Sequence, residues 1–444
     1  MLRHARFTHM HSGGRAAGII NVDEAVPKYV YADNAIPGEE AEVTLLRRKQ
    51  GFRQGAVHHL LTPSPHRVAP FCPHADLCGG CNWQHLSYDA QLHWKRAILV
   101  DALSKYGIVT PPVPEVIPGP QIEGYRNKSE YAFSSEPENR VGFHPKEERE
   151  CVFACETCSL QAPHVHQIIR KVFNLALQKQ MPLYRYSNRT GRLKAIQIRT
   201  STLGHTFCIL YFTGDESDVG LMEAIHSFMS CLQRELTVVD GWYFYLAAFT
   251  HFGGKERLCE KIDDLLFAYT PAAFFQPNPL QAVALYRQIA DYAQLTGAQT
   301  VYDLYTGIGT IACCLAANAK QVIGIEGNSA AILDAQHNAL LNNIHNASFI
   351  AGDILETFTP DFVDRHPKAD LIVLDPPRSG TLTEIKKALI YAAPQKIIYV
   401  SCNPVSLAWD LKQLCAGGYR ITHLQPFDMF PHTHHVETVC LLEQ

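Results

Sequence analysis

The stretch 301–316, "VYDLYTGIGTIACCLA", reads as an apolar strand that runs through a Gly-x-Gly turn into the start of a helix. Gly307 and Gly309 let the backbone pass close to a ligand where a Cβ would obstruct it. Alone, that pattern is also an ordinary strand–helix connection, so its surroundings decide. After Ala282, apolar strands alternate with helical runs: "TVYDLYT" at 300–306, "QVIGIEG" at 321–327, "SFIAGD" at 348–353, "DLIVLDPP" at 370–377 and "KIIYVSC" at 396–402. Such alternation predicts a doubly wound α/β sheet. Glu326 closes the second strand, where an acid accepts hydrogen bonds from ribose hydroxyls. Asp353 closes the third, placed to accept from an adenine amino group. Asp375 closes the fourth, and Pro376 and Pro377 remove backbone donors and stiffen the loop beside the cofactor crevice. A nicotinamide enzyme shares the glycines and the first acid; the full set favours S-adenosylmethionine.

The chain has 444 residues, 47% hydrophobic and 18% charged, enough for several buried cores. Its first residues contain no apolar targeting segment, and no run has the ~18 apolar residues of a membrane span. A soluble, cytoplasmic protein is expected, and its 14 cysteines then suit metal ligation or catalysis better than disulfides. The net charge of −4 is uninformative about a polyanionic partner. Its distribution says more: 157–214 holds no acid but carries Arg170, Lys171, Lys179, Arg185, Arg189, Arg192, Lys194 and Arg199. That is a phosphate-binding face or a solvated surface.

Residues 1–68 read as short strands ("GRAAGIIN", "KYVYAD", "AEVTLLRR", "GAVHHLL") and suit a small β-barrel. A linker, a cysteine cluster and a helix over 88–107 follow, and 120–270 reads as α+β with one helix at 162–180. The expected divisions are 1–68, 69–270 and 271–444.

Cys402 follows the fifth strand and precedes Asn403-Pro404. A strand-end cysteine is usually packing. Beside a methyl donor it acquires a use: carbon 5 of uracil is a poor nucleophile, and a thiolate added to carbon 6 makes it enolate-like. A base must later take the carbon-5 proton. Glu437, in "FPHTHHVE", is the best candidate. Arg378 follows the two prolines where amino-group methyltransferases carry an aromatic, which argues against exocyclic-nitrogen chemistry.

"SCNP", "DPPRSG", "FFQPNPLQA" and "FPHTHHVE" together resemble the motifs of the RNA 5-methyluridine methyltransferase family, over nearly the whole chain. The resemblance implies Cys402 as nucleophile, Glu437 as proton acceptor, and cofactor contacts from Gln276, Tyr305, Glu326, Asp353 and Asp375, the last also near the uracil. Thr310 stands where a polar side chain often meets the cofactor. One departure is "DLYTGIGT", where the family usually has Phe-Cys before the first Gly. The barrel, with "NAIPGEEAEVTLL", is similar to a TRAM domain, an OB-like RNA-binding module. "EGYRNKSEYAF" is similar to a family motif that offers Arg126 and Lys128 to phosphates. RNA is the implied partner, and the chain is expected to be a monomer.

Cys72, Cys78 and Cys81 (C-x5-C-x2-C) suit an iron–sulfur cluster or zinc, and either needs a fourth ligand. Cys151, Cys155 and Cys158 have the spacing of radical S-adenosylmethionine enzymes, but Thr157 replaces the usual aromatic and no barrel pattern follows. Iron–sulfur members of the family share the first spacing and carry a distant fourth cysteine before Ala-Pro, as Cys158 is placed. The resemblance therefore implies a [4Fe–4S] cluster on Cys72, Cys78, Cys81 and Cys158, with Cys151 and Cys155 as bystanders. Possession of both barrel and cluster resembles large-subunit ribosomal RNA members, with transfer-RNA members as the alternative. Two rivals remain: a radical enzyme on the second trio, and a non-enzymatic RNA-binding assembly factor with a relic fold.

Overall fold

The strand Thr300–Leu304 is buried along its whole length and lies inside a seven-stranded sheet. The order is Ala347–Ala351, Gln321–Glu326, Thr300–Leu304, Leu371–Leu374, Lys396–Ser401, Glu437–Glu443, Arg420–Phe427. The first five run parallel, and Glu437–Glu443 is antiparallel to both its neighbours. Helices cover both faces, so the inner strands read as continuous apolar runs instead of alternating ones. This computed structural model describes residues 2–20, 28–49 and 52–444. Asn21, the last residue of the first predicted barrel strand quoted above, lies outside them.

Strand order reverses around Thr300–Leu304, and the crevice at the carboxyl ends there is where such sheets bind ligands. Two Asn-Pro pairs build its rim. Asn403 Oδ1 accepts from Val405 N at 3.1 Å and Pro404 opens the helix Pro404–Ala416, so the backbone turns sharply just after Cys402. Asn278 Oδ1 likewise accepts from Gln281 N at 3.2 Å before the helix Pro279–Ala293, just after Gln276.

The N-terminal strands close a five-stranded barrel: Leu2–Met10, Ala16–Ile20, Lys28–Ala32, Phe52–Thr62 and Glu40–Lys49, the last pairing back on the first. A second seven-stranded sheet occupies the middle of the chain, with Lys128–Ser134, Leu193–Thr200 and Thr206–Phe212 at its centre. Besides the predicted helix, found at Pro163–Gln178, this region contains Val219–Glu235, which was not predicted. Leu221, Ile225, Phe228 and Leu232 form its buried stripe, a 3.6-residue period set among strands.

Packing crosses the expected divisions. The helix Tyr88–Lys105 belongs by sequence to the middle part, yet Leu99, Ala102 and Leu103 join the core of the C-terminal sheet with Leu407 and Leu411. The hairpin Leu258–Ile262/Leu265–Tyr269 packs with Leu285 and Ile289 on the other face. Among the described residues no helix is long and apolar enough to cross a membrane.

Candidate active site

The glycine turn is shaped by a buried acid that the sequence motifs do not single out. Asp303 Oδ2 accepts from Thr306 Oγ1 at 2.5 Å and from Ala312 N at 3.0 Å, drawing the strand end and helix start together. Tyr305, Gly307 and Gly309 all take positive φ, at 64°, 56° and 78°. At Gly309 a Cβ would lie 3.0 Å from the Phe349 ring. At Gly307 a Cβ would meet nothing within 4 Å, because that residue faces the cavity. Burial, followed by the fields of Asp375 and Glu326 and partly offset by its hydrogen bonds, lifts the Asp303 carboxyl to about 7. An acid inside an apolar run was the available signal for this residue.

A cavity of about 740 Å³ lies at the carboxyl ends of the strands, and Gln276, Tyr305, Glu326, Asp375, Cys402 and Glu437 all line it. Glu326 bridges the first two strand ends: Oε2 accepts from Gly307 N at 3.1 Å and Oε1 from Asn328 N at 2.8 Å. The structure does not bring the other two predicted cofactor residues to the wall. Asp353 instead caps the short helix Ile354–Thr357, its Oδ1 accepting from Leu355 N at 2.8 Å. Thr310 is buried and pairs with the Tyr286 hydroxyl.

The segment 271–276 is held from the middle sheet. Arg199, counted above with a basic face, is buried; its Nη1 and Nη2 donate to Ala273 O at 3.0 Å and Pro271 O at 2.9 Å. Asn127 Nδ2 donates to Gln276 O at 3.1 Å. Phe274, on the same segment, is 65% exposed and lines the cavity.

The opposite wall is the segment after Phe427. Asp428 is fully buried and paired with the equally buried Lys95 of the helix Tyr88–Lys105; it also accepts from the Tyr88 hydroxyl at 2.8 Å. Lys95 Nζ donates to Phe430 O at 3.0 Å, and His432 N donates to Gln91 Oε1 at 2.8 Å. Burial holds His434 and His435 far below the usual range, to about 3 and about 4, so both imidazoles are neutral.

Burial pushes the Cys402 thiol up to about 11; Glu437 and Asp375 add to that, and Arg378 opposes it. Burial, then the neighbouring Asp375, raises Glu437 well above the carboxylate range. Burial also raises Asp375, to about 6.

A second cavity, of about 330 Å³, adjoins the first: Gly79, Gly80 and Arg126 line both. Its wall carries Cys72, Cys78, Cys81 and Cys158 together. Cys155, expected to stand apart, lines it too; Cys151 is exposed and does not. The trio Cys151, Cys155 and Cys158 is therefore not gathered as a radical enzyme would need. Burial and neighbouring thiols raise Cys81 to about 12 and Cys158 to about 11, each partly offset by a hydrogen bond and Cys158 also by Arg126. Among the described residues no group of three or more His, Cys, Asp or Glu is gathered so as to hold a metal ion.

The strand order, glycine turn and ligand crevice define a class I S-adenosylmethionine-dependent methyltransferase. Residues 255–444 match the family model described as tRNA (Uracil-5-)-methyltransferase. An uncharacterized RNA methyltransferase of Porphyromonas gingivalis is 35% identical over 456 residues, covering 96% of each chain. Another, from Bacteroides thetaiotaomicron, is 35% identical over 443 residues, covering 93% of this chain and 96% of its own. The Pyrococcus abyssi tRNA (uracil-54, C5)-methyltransferase, solved with S-adenosyl-L-homocysteine, superposes with a TM-score of 0.76 at 26% identity, covering 99% of this chain and 100% of that one. The chain belongs to the RNA (uracil-5-)-methyltransferase family. It is a methyltransferase acting on RNA with S-adenosylmethionine as donor.

Proposed function

We propose that the cavity methylates uridine at carbon 5 through a covalent adduct on Cys402. The observation that carries this is the meeting of Cys402 and Glu437 in one cavity with Gln276, Tyr305, Glu326 and Asp375. Those last four hold the donor, which when bound supplies an electrophilic methyl group to carbon 5. The protein's own work comes before and after. Cys402 Sγ forms a bond to carbon 6, sending the C5–C6 electron pair toward carbon 5 and oxygen 4. Once carbon 5 carries the methyl, Glu437 takes its remaining proton; the pair returns to C5=C6 and the C6–S bond breaks. Arg378 favours the thiolate needed at the start.

We infer that Cys72, Cys78, Cys81 and Cys158, which line one cavity, would hold a [4Fe–4S] cluster. The cluster would serve as structural support beside the substrate cavity. The barrel at 1–68 reads as a TRAM module that, with the middle sheet, holds RNA while the target base is unstacked into the cavity. Barrel and cysteine set favour a large-subunit ribosomal RNA. Transfer RNA is the second reading, favoured by the extent of the likeness to the Pyrococcus abyssi enzyme.

RNA carrying 5-fluorouridine tests the mechanism, because fluorine replaces the proton that Glu437 must take. With donor present, a denaturation-resistant protein–RNA adduct forms on the parent and not on Cys402→Ala, which still binds donor. Absence of the adduct on the parent sinks the mechanism. Running ribosomal and transfer RNA substrates side by side separates the two substrate readings.

A further inference from the structure

The loop that carries the cysteines also grips the segment that carries Glu437. Asn82 directly follows Cys81; its backbone N donates to His432 O at 3.1 Å, and Trp83 N donates to the same carbonyl at 3.0 Å. The Asn82 side chain then closes a two-bond bridge to His434. His434 N donates to Asn82 Oδ1 at 3.2 Å, and Asn82 Nδ2 donates to His434 Nδ1 at 2.7 Å. A backbone N–H only donates, so the first bond fixes the amide's orientation. The second bond then fixes the neutral imidazole with its proton on Nε2.

The barrel completes the junction. Trp83 Nε1 donates to Gly14 O at 2.8 Å, on the turn between the first two barrel strands. Gly14 has φ +81°, and a Cβ there would lie 2.5 Å from Asn82 Nδ2 and 2.6 Å from His434 Nδ1. Only glycine lets that turn close on the pair. Asn82 and His434 both line the catalytic cavity. The earlier half of the segment has its own supports in Lys95, Tyr88 and Gln91. The Asn82–His434 bridge is the added hold on the half that leads through buried Val436 to Glu437.

We propose that Asn82 is a positioning residue for the catalytic base, fixing His434 and through it the approach of the Glu437 carboxylate to carbon 5. The proposal rests on the reading of Glu437 as proton acceptor. It implies that order in the cysteine loop is felt at one chemical step, the proton removal, and not at thiol addition or donor binding.

The test uses full-length protein with its native metal content and ordinary uridine RNA. Parent, Asn82→Ala, His434→Ala and Glu437→Gln are compared for donor affinity, melting temperature, iron content, turnover and denaturation-resistant RNA adduct. Glu437→Gln should accumulate a methylated adduct, because elimination waits on the proton. If it accumulates none, the reading of Glu437 fails. Asn82→Ala and His434→Ala should then slow turnover by roughly a hundredfold and accumulate the same adduct, with donor affinity near that of the parent. Should Asn82→Ala lose iron, His434→Ala decides, since it leaves the cysteine loop intact. If Glu437→Gln accumulates adduct while His434→Ala slows without it, or turns over like the parent, the positioning role is overturned.

Discussion

Cys402 sits where two demands conflict. In the proposed mechanism burial keeps water from a reactive adduct, yet burial also lifts its thiol to about 11, and a thiolate is what must attack. Asp375 and Glu437 make the thiol harder still to ionise, while Arg378 works the other way. The donor's sulfonium, when bound, would add a positive charge that acts in the same direction as Arg378. That charge must also act on the acids nearby: Asp375, raised to about 6, Asp303, raised to about 7, and Glu437, raised well above the usual carboxylate range. A cation favours their ionised forms, so its binding expels protons and tightens as pH rises, until the acids are already ionised. Donor affinity should therefore climb from about pH 6 upward, with the protons appearing in calorimetry across buffers of different ionisation enthalpy. S-adenosyl-L-homocysteine, a neutral thioether, should show a flatter profile. Identical profiles for the two ligands would remove the sulfonium from the explanation.

At the scale of elements, the two Asn-Pro helix starts explain how Gln276 and Cys402 reach one rim, and both were visible in the sequence as "QPNP" and "SCNP". Arg199 was not. In the sequence it was one of eight basic residues; in the fold it is a buried fork whose guanidinium ties two carbonyls of the segment 271–273 to the middle sheet. Gln197 Oε1 accepts from its Nε at 2.8 Å, so three of its donors are spent inside the protein. Arg199→Met keeps the volume but strands buried acceptors, an expected loss of about 2–4 kcal/mol. Arg199→Lys keeps the charge but not the planar fork, and should recover only part of it. Because the segment carries Phe274 and Gln276, both variants should also weaken donor binding. The check is urea denaturation alongside donor titration at a temperature where each variant remains folded. Destabilised variants that bind donor normally would leave Arg199 a purely structural tie.

Across the whole molecule, what was legible in the sequence was what neighbours in the chain determine. The C-terminal sheet announced itself through apolar strands with polar ends, and the barrel through short strands between glycines and prolines. What depends on distant parts meeting was not legible. Asn82 and His434 touch across 352 positions, Lys95 meets Asp428 across 333, and the helix Tyr88–Lys105 packs Ala90 and Ile98 on the barrel while Leu99, Ala102 and Leu103 join the C-terminal sheet. The basic stretch 157–214 lies between these cases, because its charge was legible and its exposure was not. Arg199 is buried, and Arg185 and Arg192 are engaged with Glu136 at 3.4 Å and Asp218 at 3.5 Å. Arg170, Lys171, Lys179, Arg189 and Lys194 remain exposed. RNA is the substrate, and each phosphate neutralised by such a residue releases counterions, which steepens the dependence of affinity on salt. Replacing Arg170, Lys171, Arg189 and Lys194 together by Gln should weaken RNA binding most at low salt. It should flatten the plot of log affinity against log salt by roughly 0.7 for each phosphate that is no longer neutralised. Fluorescence anisotropy with labelled RNA over a range of salt concentrations measures both, and donor titration of the same variant reports whether its catalytic part stayed intact. A variant with the parent's slope would make this a solvated face and route the RNA over the barrel instead.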